Sequence, residues 1–197
     1  MNLFFDTETS GLPLFREPSD DPRQPHLIQL AAILAEDDGT EVQTMSTLVK
    51  PYAGCVIHPE AFKAHGISHE KAMDEGIDGG VAFDAFIALL ERARQVVGHN
   101  VPFDKRIMRI HATRSHGSKW ECPVPHFCTM RAATPILNLP PTAKMVAAGR
   151  RHAKSANLGE CIDYFFNEKL EGAHDALVDV RACKRVFQHL QTLKEAA

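Results

Sequence analysis

The hydrophobic pattern of the chain changes its period near the middle, and this change restricts the fold more than any other feature of the sequence. Asn2–Asp6 is a short apolar run, and His26–Glu36 and Glu41–Lys50 are rich in β-forming residues. Asp37-Asp38-Gly39-Thr40 separates the last two runs, and an Asp-Gly pair in that place is a strong hairpin signal. We therefore predict three strands in an antiparallel meander, with residues 13–25, which carry four prolines, as a surface loop.

Helical spacing of apolar residues dominates from about residue 80 onward. The predicted elements of this half are a helix at roughly 80–94, a strand at Gln95–Gly98, a helix from Pro102 to about Ser115 that buries Phe103, a strand at His126–Cys128, and helices at 156–166 and 174–195. A meander followed by alternating helices and strands indicates an α/β fold, with helices on the faces of a mixed sheet. A length of 197 residues suits a single domain, so we expect residues 1–197 to form one domain.

The composition and charge exclude several classes of protein. Apolar residues make up 44% and charged residues 24% of the chain, which is ordinary for a globular fold. No apolar run approaches the roughly 18 residues of a membrane helix, and Met1–Asp6 lacks the basic flank of a secretory signal. Five scattered cysteines fit free thiols in a reducing cytoplasm, where we expect the protein to act. A net charge of −3 argues against a broad basic face for duplex DNA but leaves a small nucleic-acid footprint open.

The first informative motif is Asp6-Thr7-Glu8-Thr9, at the end of the first predicted strand. Residues i and i+2 of a strand point to the same side, so the side chains of Asp6 and Glu8 leave one face together. The apolar residues before them place the strand in the sheet interior, where two ionised carboxylates repel each other and lose hydration. A divalent cation such as Mg²⁺ or Mn²⁺ would relieve that cost, and a solvated strand end is the alternative.

A second motif, Gly98-His99-Asn100-Val101-Pro102-Phe103-Asp104, runs from the end of a predicted strand into a helix. Asp104 then lies in the first helical turn, where the helix dipole favours a carboxylate, so ordinary capping is one explanation for it. The same position suits a phosphate group, because the free backbone amides point outward. His99 and Asn100 would then be hydrogen-bond donors beside such a site.

The third motif is His174-Asp175-Ala176-Leu177-Val178-Asp179. Asp179 borders the apolar stripe of the last predicted helix, where a carboxylate needs a partner or a metal ion. His174 can approach Asp179 only if it lies just before the helix, with Asp175 as the N-cap. A surface or core role for this histidine, one of eleven in the chain, is the alternative interpretation.

The three motifs together suggest a single site. Its four carboxylates come from a strand, a helix start and the last helix: Asp6, Glu8, Asp104 and Asp179. An α/β sheet brings such ends to one edge, and four carboxylates roughly balance two divalent cations. That is the arrangement of a phosphodiesterase with two metal ions about 4 Å apart. Histidine supplies a general base there, because its ordinary pKa lies near physiological pH.

The order Asp-x-Glu, His-Asn-x-x-Phe-Asp and His-x-x-x-x-Asp resembles the motifs of the DEDDh 3′–5′ exonucleases. That family includes the proofreading epsilon subunit of bacterial replicative polymerase, and the resemblance extends from Phe4 to about Val186. It implies an RNase H-like fold. Histidine rather than tyrosine in the third motif disfavours the tyrosine-bearing branch of the superfamily.

The resemblance also implies roles for the motif residues. One metal ion would be held by Asp6, Glu8 and Asp179, and a second by Asp6 with Asp104. His174 would deprotonate the attacking water. The implied substrate contacts are Thr7, Thr9 and Leu12 near the first motif, His65 and Ile67 in a His-Gly-Ile segment, and His99, Asn100 and Phe103 in the second motif.

These features predict a Mg²⁺- or Mn²⁺-dependent 3′–5′ exonuclease that releases nucleoside 5′-monophosphates from single-stranded or frayed DNA. The alternatives are a 3′–5′ exoribonuclease, a non-catalytic nucleic-acid-binding module and a metal-dependent endonuclease on the same fold. Stable polymerase association is not expected, because the chain ends about eighteen residues after Asp179. The basic residues within 131–154 either track the phosphates of a single strand or form a solvated loop.

Overall fold

The computed structural model describes residues 1–195 of the chain, which form a five-stranded sheet with helices on both faces. The strands are β1 (Asn2–Thr9), β2 (Leu27–Ala35), β3 (Glu41–Leu48), β4 (Gln95–Gly98) and β5 (His126–Cys128). The helices are α1 (Pro59–His65), α2 (His69–Glu75), α3 (Gly79–Leu90), α4 (Val101–His116), α5 (Thr129–Leu137), α6 (Ala143–Ala147), α7 (Leu158–Phe166) and α8 (Ala176–Glu195). None of the helices in residues 1–195 is long and apolar enough to cross a membrane.

The strand order is β3-β2-β1-β4-β5, so β1 lies at the centre of the sheet. The β1–β2 and β2–β3 pairs are antiparallel, and the β1–β4 and β4–β5 pairs are parallel. The predicted meander and the mixed sheet are therefore confirmed. Because β1 and β4 run in the same direction, their carboxyl ends meet at one edge of the sheet, where ligands bind in many α/β proteins.

Alternate residues of β1 point into two separate apolar clusters. Leu3 and Phe5 pack with α3 and α4 on one face, whereas Phe4 packs with α7 and α8 on the other. Phe4 meets Phe187 of α8 edge-on, with 5.4 Å between the ring centroids. All nine residues of β2 are buried, since both faces of that strand are covered. The central strand is thus flanked by the two helices, α4 and α8, that carry Asp104 and Asp179.

Most predicted elements are confirmed, with boundaries that differ by a few residues. β1 continues to Thr9, and α3 ends at Leu90 rather than near residue 94. Four helices were not predicted: α1, α2, α5 and α6. They are between five and nine residues long, too short to show a helical period, and α5 contains Pro135.

The predicted loop at residues 13–25 has no regular secondary structure, but hydrogen bonds from buried side chains hold its backbone. The buried side chain of Gln24 bonds the backbone of Leu14 in both directions, at 3.0 Å each way. Arg106 of α4 donates to the carbonyls of Leu14 and Glu17 and to the Ser19 hydroxyl. The loop is therefore fixed to the helix that begins at the edge where β1 and β4 end.

Candidate active site

The pleat of β1 delivers the first two carboxylates to one side of the sheet. Asp6 and Glu8 are half-buried, while Thr7 between them is buried on the opposite face. Because Phe4, Asp6 and Glu8 share a face, the acids follow directly on the apolar cluster that packs against α8. The strand thus leads from the core straight to the acidic site.

Asp104 reaches the site from the first turn of α4. Asn100 connects β4 to this helix in the left-handed conformation, with φ of 76°. The Asp104 carboxylate is almost fully buried, at 2% exposure, and its Oδ1 accepts a 2.8 Å hydrogen bond from the Thr7 hydroxyl. The position matches the sequence prediction, and the contact with Thr7 ties this carboxylate to β1.

The start of α8 supplies His174 and Asp179. Asp175 caps the helix, since its Oδ1 accepts hydrogen bonds from the amides of Leu177 and Val178, as the sequence predicts. His174 therefore lies just before the helix, exposed and left-handed with φ of 68°. Its amide donates to Asp179 Oδ2 at 3.0 Å. The other oxygen of this carboxylate, Oδ1, is buried and has no hydrogen-bond partner among the residues that the structure describes.

The five motif residues line a single cleft of about 870 Å³. They are Asp6, Glu8, Asp104, His174 and Asp179. One potential ligand atom from each of Glu8, His174 and Asp179 lies within 4.8 Å of the others. The structure thus brings together all five side chains that the three motifs predicted for one site, although they come from four different elements or turns of the chain.

Burial raises the pKa values of all four carboxyl groups, and repulsion within the cluster raises those of Asp6, Glu8 and Asp104 further. Burial, followed by the charges of Asp104 and Asp179, raises the pKa of Asp6 well above its ordinary value. Burial raises the pKa of Glu8 to about 9 and that of Asp104 to about 8, the latter in spite of the Thr7 hydrogen bond. Burial also raises the pKa of Asp179. Within residues 1–195, no lysine or arginine forms an ion pair with any of them.

The raised pKa values of these carboxyl groups predict how the stability of the metal-free protein depends on pH. In the folded state Asp104 and Glu8 hold their protons up to about pH 8 and 9, whereas in the unfolded chain they ionise near pH 4. The folded state binds more protons in between, so these groups lower stability as the pH rises toward 9. We expect urea unfolding in EDTA to show a lower midpoint at pH 9 than at pH 7, and millimolar Mg²⁺ to reduce that loss.

The two most strongly shifted histidines do not titrate between pH 7 and 9. The pKa values of the buried His26 and His111 are lowered to about 4 by burial, so both stay neutral throughout this range. The matched control is Asp104→Asn, which keeps the shape of the side chain and an acceptor for Thr7. It should flatten the pH dependence. A midpoint that is constant or rises from pH 7 to 9 in the wild-type protein would contradict the prediction.

Six of the eight predicted substrate contacts lie along the cleft. These are Thr7, Thr9, Leu12, His65, His99 and Phe103. Leu12 is 80% exposed, and Phe103, predicted to be buried, is only partly so, with one side against the core. Ile67 is different, because it is buried in a small cluster with Ile28 and Ala72 and does not line the cleft. Asn100 does not line it either, and its left-handed backbone serves the β4–α4 turn.

Two of the predicted histidines make internal hydrogen bonds. The Ile67 amide donates to His65 Nδ1 at 3.0 Å, so the protonated Nε2 of His65 donates to the Thr9 carbonyl at 3.1 Å. His99 Nε2 lies 2.9 Å from the Ala156 carbonyl, and its Nδ1 lies 2.9 Å from the Thr129 hydroxyl. The predicted donor role of His99 toward a ligand is therefore not supported, because both ring nitrogens are already paired within the protein.

The cleft also has lining residues that the motifs did not indicate. They come from the residues after β1, from the proline-rich loop with His26 after it, from residues 54–58 and α1, and from the start of α7: Ser10, Gly11, Pro22, Arg23, Gln24, Pro25, His26, Gly54, Val56, His58, Glu60, Ala61, Ala64, Asn157 and Leu158. Arg23 is paired with Asp21 and Glu17, so its charge is already neutralised. Neither the proline-rich loop nor the segment at residues 54–64 has a periodic hydrophobic pattern. Only the density of prolines in residues 13–25 distinguishes the loop in the sequence.

Fold and site together define an α/β protein of the RNase H-like type, with a carboxylate cluster where the central strands end. A family model described as Exonuclease (RNase_T) matches residues 3–187. The chain belongs to this exonuclease family, and its assignment to the DEDDh 3′–5′ exonucleases from three short motifs is confirmed. A sequence comparison with curated proteins gives no match.

Solved structures of Exonuclease I share the fold. In the complex of the E. coli protein with a dT13 oligonucleotide, the TM-score is 0.75 at 19% identity, over 99% of this chain and 42% of that chain. For a zinc-bound form of the E. coli Exonuclease I complex with single-stranded DNA, the TM-score is 0.72 at 19% identity, over 98% of this chain and 41% of that chain. For a moderately thermophilic Exonuclease I from Methylocaldum szegediense, the TM-score is 0.69 at 20% identity, over 97% of this chain and 40% of that chain. The chain thus spans about two-fifths of the length of these proteins.

Proposed function

We propose that the protein is a Mg²⁺- or Mn²⁺-dependent 3′–5′ exonuclease that removes nucleoside 5′-monophosphates from single-stranded or frayed DNA. The observation that carries the proposal is the convergence of five motif side chains in one cleft. We further propose that residues 1–197 act as one exonuclease domain, since the two apolar clusters share a single sheet.

The donor set fits two hard divalent cations. Asp179 Oδ1 is buried without a partner, and four carboxyl groups share a site in which burial disfavours their ionised forms. Oxygen ligands of this kind suit Mg²⁺ and Mn²⁺. Asp6, Glu8 and Asp179 would hold one ion and Asp6 with Asp104 the other. When bound, the ions would stabilise the negative charge on the attacking and leaving oxygens of the phosphodiester.

His174 would accept the proton of the attacking water. Its side chain is exposed at the cleft, so it can pass that proton on to solvent. Its backbone amide donates to Asp179, which holds the turn that carries the imidazole next to a carboxylate of the site. A histidine in this position can act as a general base near neutral pH.

The walls of the cleft suit a nucleic-acid strand with unpaired bases. Leu12, Val56 and Phe103 present apolar surface to the cleft, and bases stack or pack on such side chains without regard to sequence. Thr9 and His65 would position the terminal nucleotide through the backbone that they hold. The structures of E. coli Exonuclease I with oligonucleotides of dT and dA support DNA as the polymer.

The test is a ladder assay with matched DNA and RNA oligonucleotides that carry a 5′ label. We expect single-nucleotide steps from the 3′ end of DNA with Mg²⁺ or Mn²⁺, mononucleotide products, and no cleavage in EDTA. Faster degradation of RNA would instead assign an exoribonuclease. Cutting of a circular single strand would indicate an endonuclease, and binding without metal-dependent hydrolysis would reduce the protein to a nucleic-acid-binding module.

A further inference from the structure

One polar side chain interrupts the otherwise apolar strand β2. Gln29 is only 7% exposed, and it lies directly opposite Glu8 in the antiparallel β1–β2 register. Paired residues in such a register point to the same face, so Gln29 shares the α8 face with the carboxylates. It does not line the cleft. A buried amide in an apolar strand needs hydrogen-bond partners, because a buried polar group without them destabilises the folded state.

Both ends of the Gln29 amide bond to the start of α8. Its Nε2 donates to Asp175 Oδ2 at 3.2 Å, and its Oε1 accepts from the Ala176 amide at 3.1 Å. The other carboxylate oxygen of Asp175 caps the helix through Leu177 and Val178. Gln29 therefore forms hydrogen bonds with both the cap residue and the first residue of α8. The cap residue, Asp175, is 146 positions away from Gln29 in the sequence.

The residue before this cap is His174, whose backbone is left-handed with φ of 68°. This conformation is unfavourable for a residue with a β-carbon and persists only where the surroundings hold it. Two anchors do so: the Asp179 carboxylate accepts the His174 amide, and Gln29 fixes Asp175 directly after it. The backbone position from which the imidazole projects thus depends in part on a side chain of β2.

We propose that Gln29 is a positioning residue for His174, and this inference rests on the function proposed above. The Gln29 side chain does not line the cleft, and it acts by fixing the turn from which the general base projects. Its loss affects the chemical step rather than substrate binding, because its side-chain hydrogen bonds go to Asp175 and Ala176 and not to the cleft walls at residues 22–26 and 54–64.

The first test replaces Gln29 with methionine, which keeps the length and volume of the side chain but removes both hydrogen bonds. Loss of such a supporting contact costs about 10–100-fold in comparable sites. We expect kcat on a single-stranded DNA oligonucleotide to fall by about that factor while KM stays within about 3-fold. The matched control is Gln43→Met on β3, where the exposed glutamine bonds only Arg92, and it should leave both constants unchanged.

A double-mutant cycle with His174→Ala separates positioning from a general structural role. If Gln29 acts through His174, adding Gln29→Met to His174→Ala should lower kcat no further, since effects of residues that act as a unit are not additive. If the second substitution lowers kcat again by its full factor, the proposal is wrong. Metal-free thermal unfolding of each variant shows whether it folds.

A reversed pair keeps the proposal testable if the methionine variant does not fold. Gln29→Glu alone places two carboxylates against each other, and Asp175→Asn alone places two amide donors against each other, so each should lower kcat. In the double variant the amide nitrogen introduced at position 175 can donate to the carboxylate introduced at position 29, while the amide oxygen at position 175 still caps the helix. The kcat should then recover by about 10-fold over Gln29→Glu.

The outcomes of these tests separate the two proposals. No recovery in the reversed pair overturns the role of Gln29. If the wild-type protein releases no mononucleotides, the proposed function is wrong, and the role of Gln29 falls with it. If the wild type is active and Gln29→Met has the same kcat, only the role of Gln29 is wrong.

Discussion

Asp6→Asn is expected to abolish exonuclease activity while making the metal-free protein more stable. Asp6 is half-buried in the cluster, and the charges of Asp104 and Asp179 both act on it. In the proposed mechanism each metal ion would lower the activation barrier by several kcal/mol, so loss of the ligand that both ions would share should lower the rate by about 10⁴-fold or more. The same change removes a carboxyl group whose ionisation the fold opposes. Ladder assays with Mn²⁺ and unfolding curves in EDTA measure the two effects.

The opposite signs of these two effects make the prediction specific. A substitution that merely damaged the fold would lower activity and stability together. Asp84→Asn is the control, because Asp84 is exposed and pairs only with His116 at the surface, and it should change neither quantity. Near wild-type cleavage by the Asp6 variant would show that the carboxylate cluster does not hold the catalytic metal ions.

His174→Ala is expected to lower kcat by about 10²–10⁴-fold, the usual contribution of a positioned general base. Binding of Mn²⁺, measured by calorimetry, should persist, because Asp6, Glu8, Asp104 and Asp179 remain. The hydrogen bond to Asp179 comes from the His174 backbone and is kept in the variant. Added imidazole should restore part of the rate by accepting the proton in place of the missing ring.

His174→Gly supplies the matched control for backbone strain. Glycine adopts a φ of 68° without cost, so this variant should be at least as stable as His174→Ala and lose activity to the same extent. Full activity of either variant between pH 6 and 9 would remove His174 from the mechanism.

The arrangement of the site was largely predictable from the sequence, since it depends on strand and helix geometry. Alternation along β1 places Asp6 and Glu8 on one face, and a cap at Asp175 is required to bring His174 back toward Asp179. Both features are present in the structure. The predicted strands and long helices were found because their apolar residues repeat over enough positions to show a period.

Contacts between distant segments were beyond prediction from the sequence. Ile67 matched a motif, but its side chain packs into a cluster with Ile28 whose existence depends on how α2 folds against the sheet. His99 has a plausible donor pattern in the sequence, yet Ala156 and Thr129, far along the chain, already take both ring nitrogens. The four short helices lack any period, and local capping by residues such as His58 and Ser68 defines two of them.

The long sequence separation between the two halves of the site has a consequence for biosynthesis. Asp6 and Glu8 leave the ribosome well before His174 and Asp179, which arrive with α8, and this helix must dock on β1 and β2 before the cluster exists. A nascent chain that has folded its sheet but not yet docked α8 has only part of its ligand set. The carboxylate cluster is therefore complete only after the last helix has docked on the sheet, which is a late step in the folding of the chain.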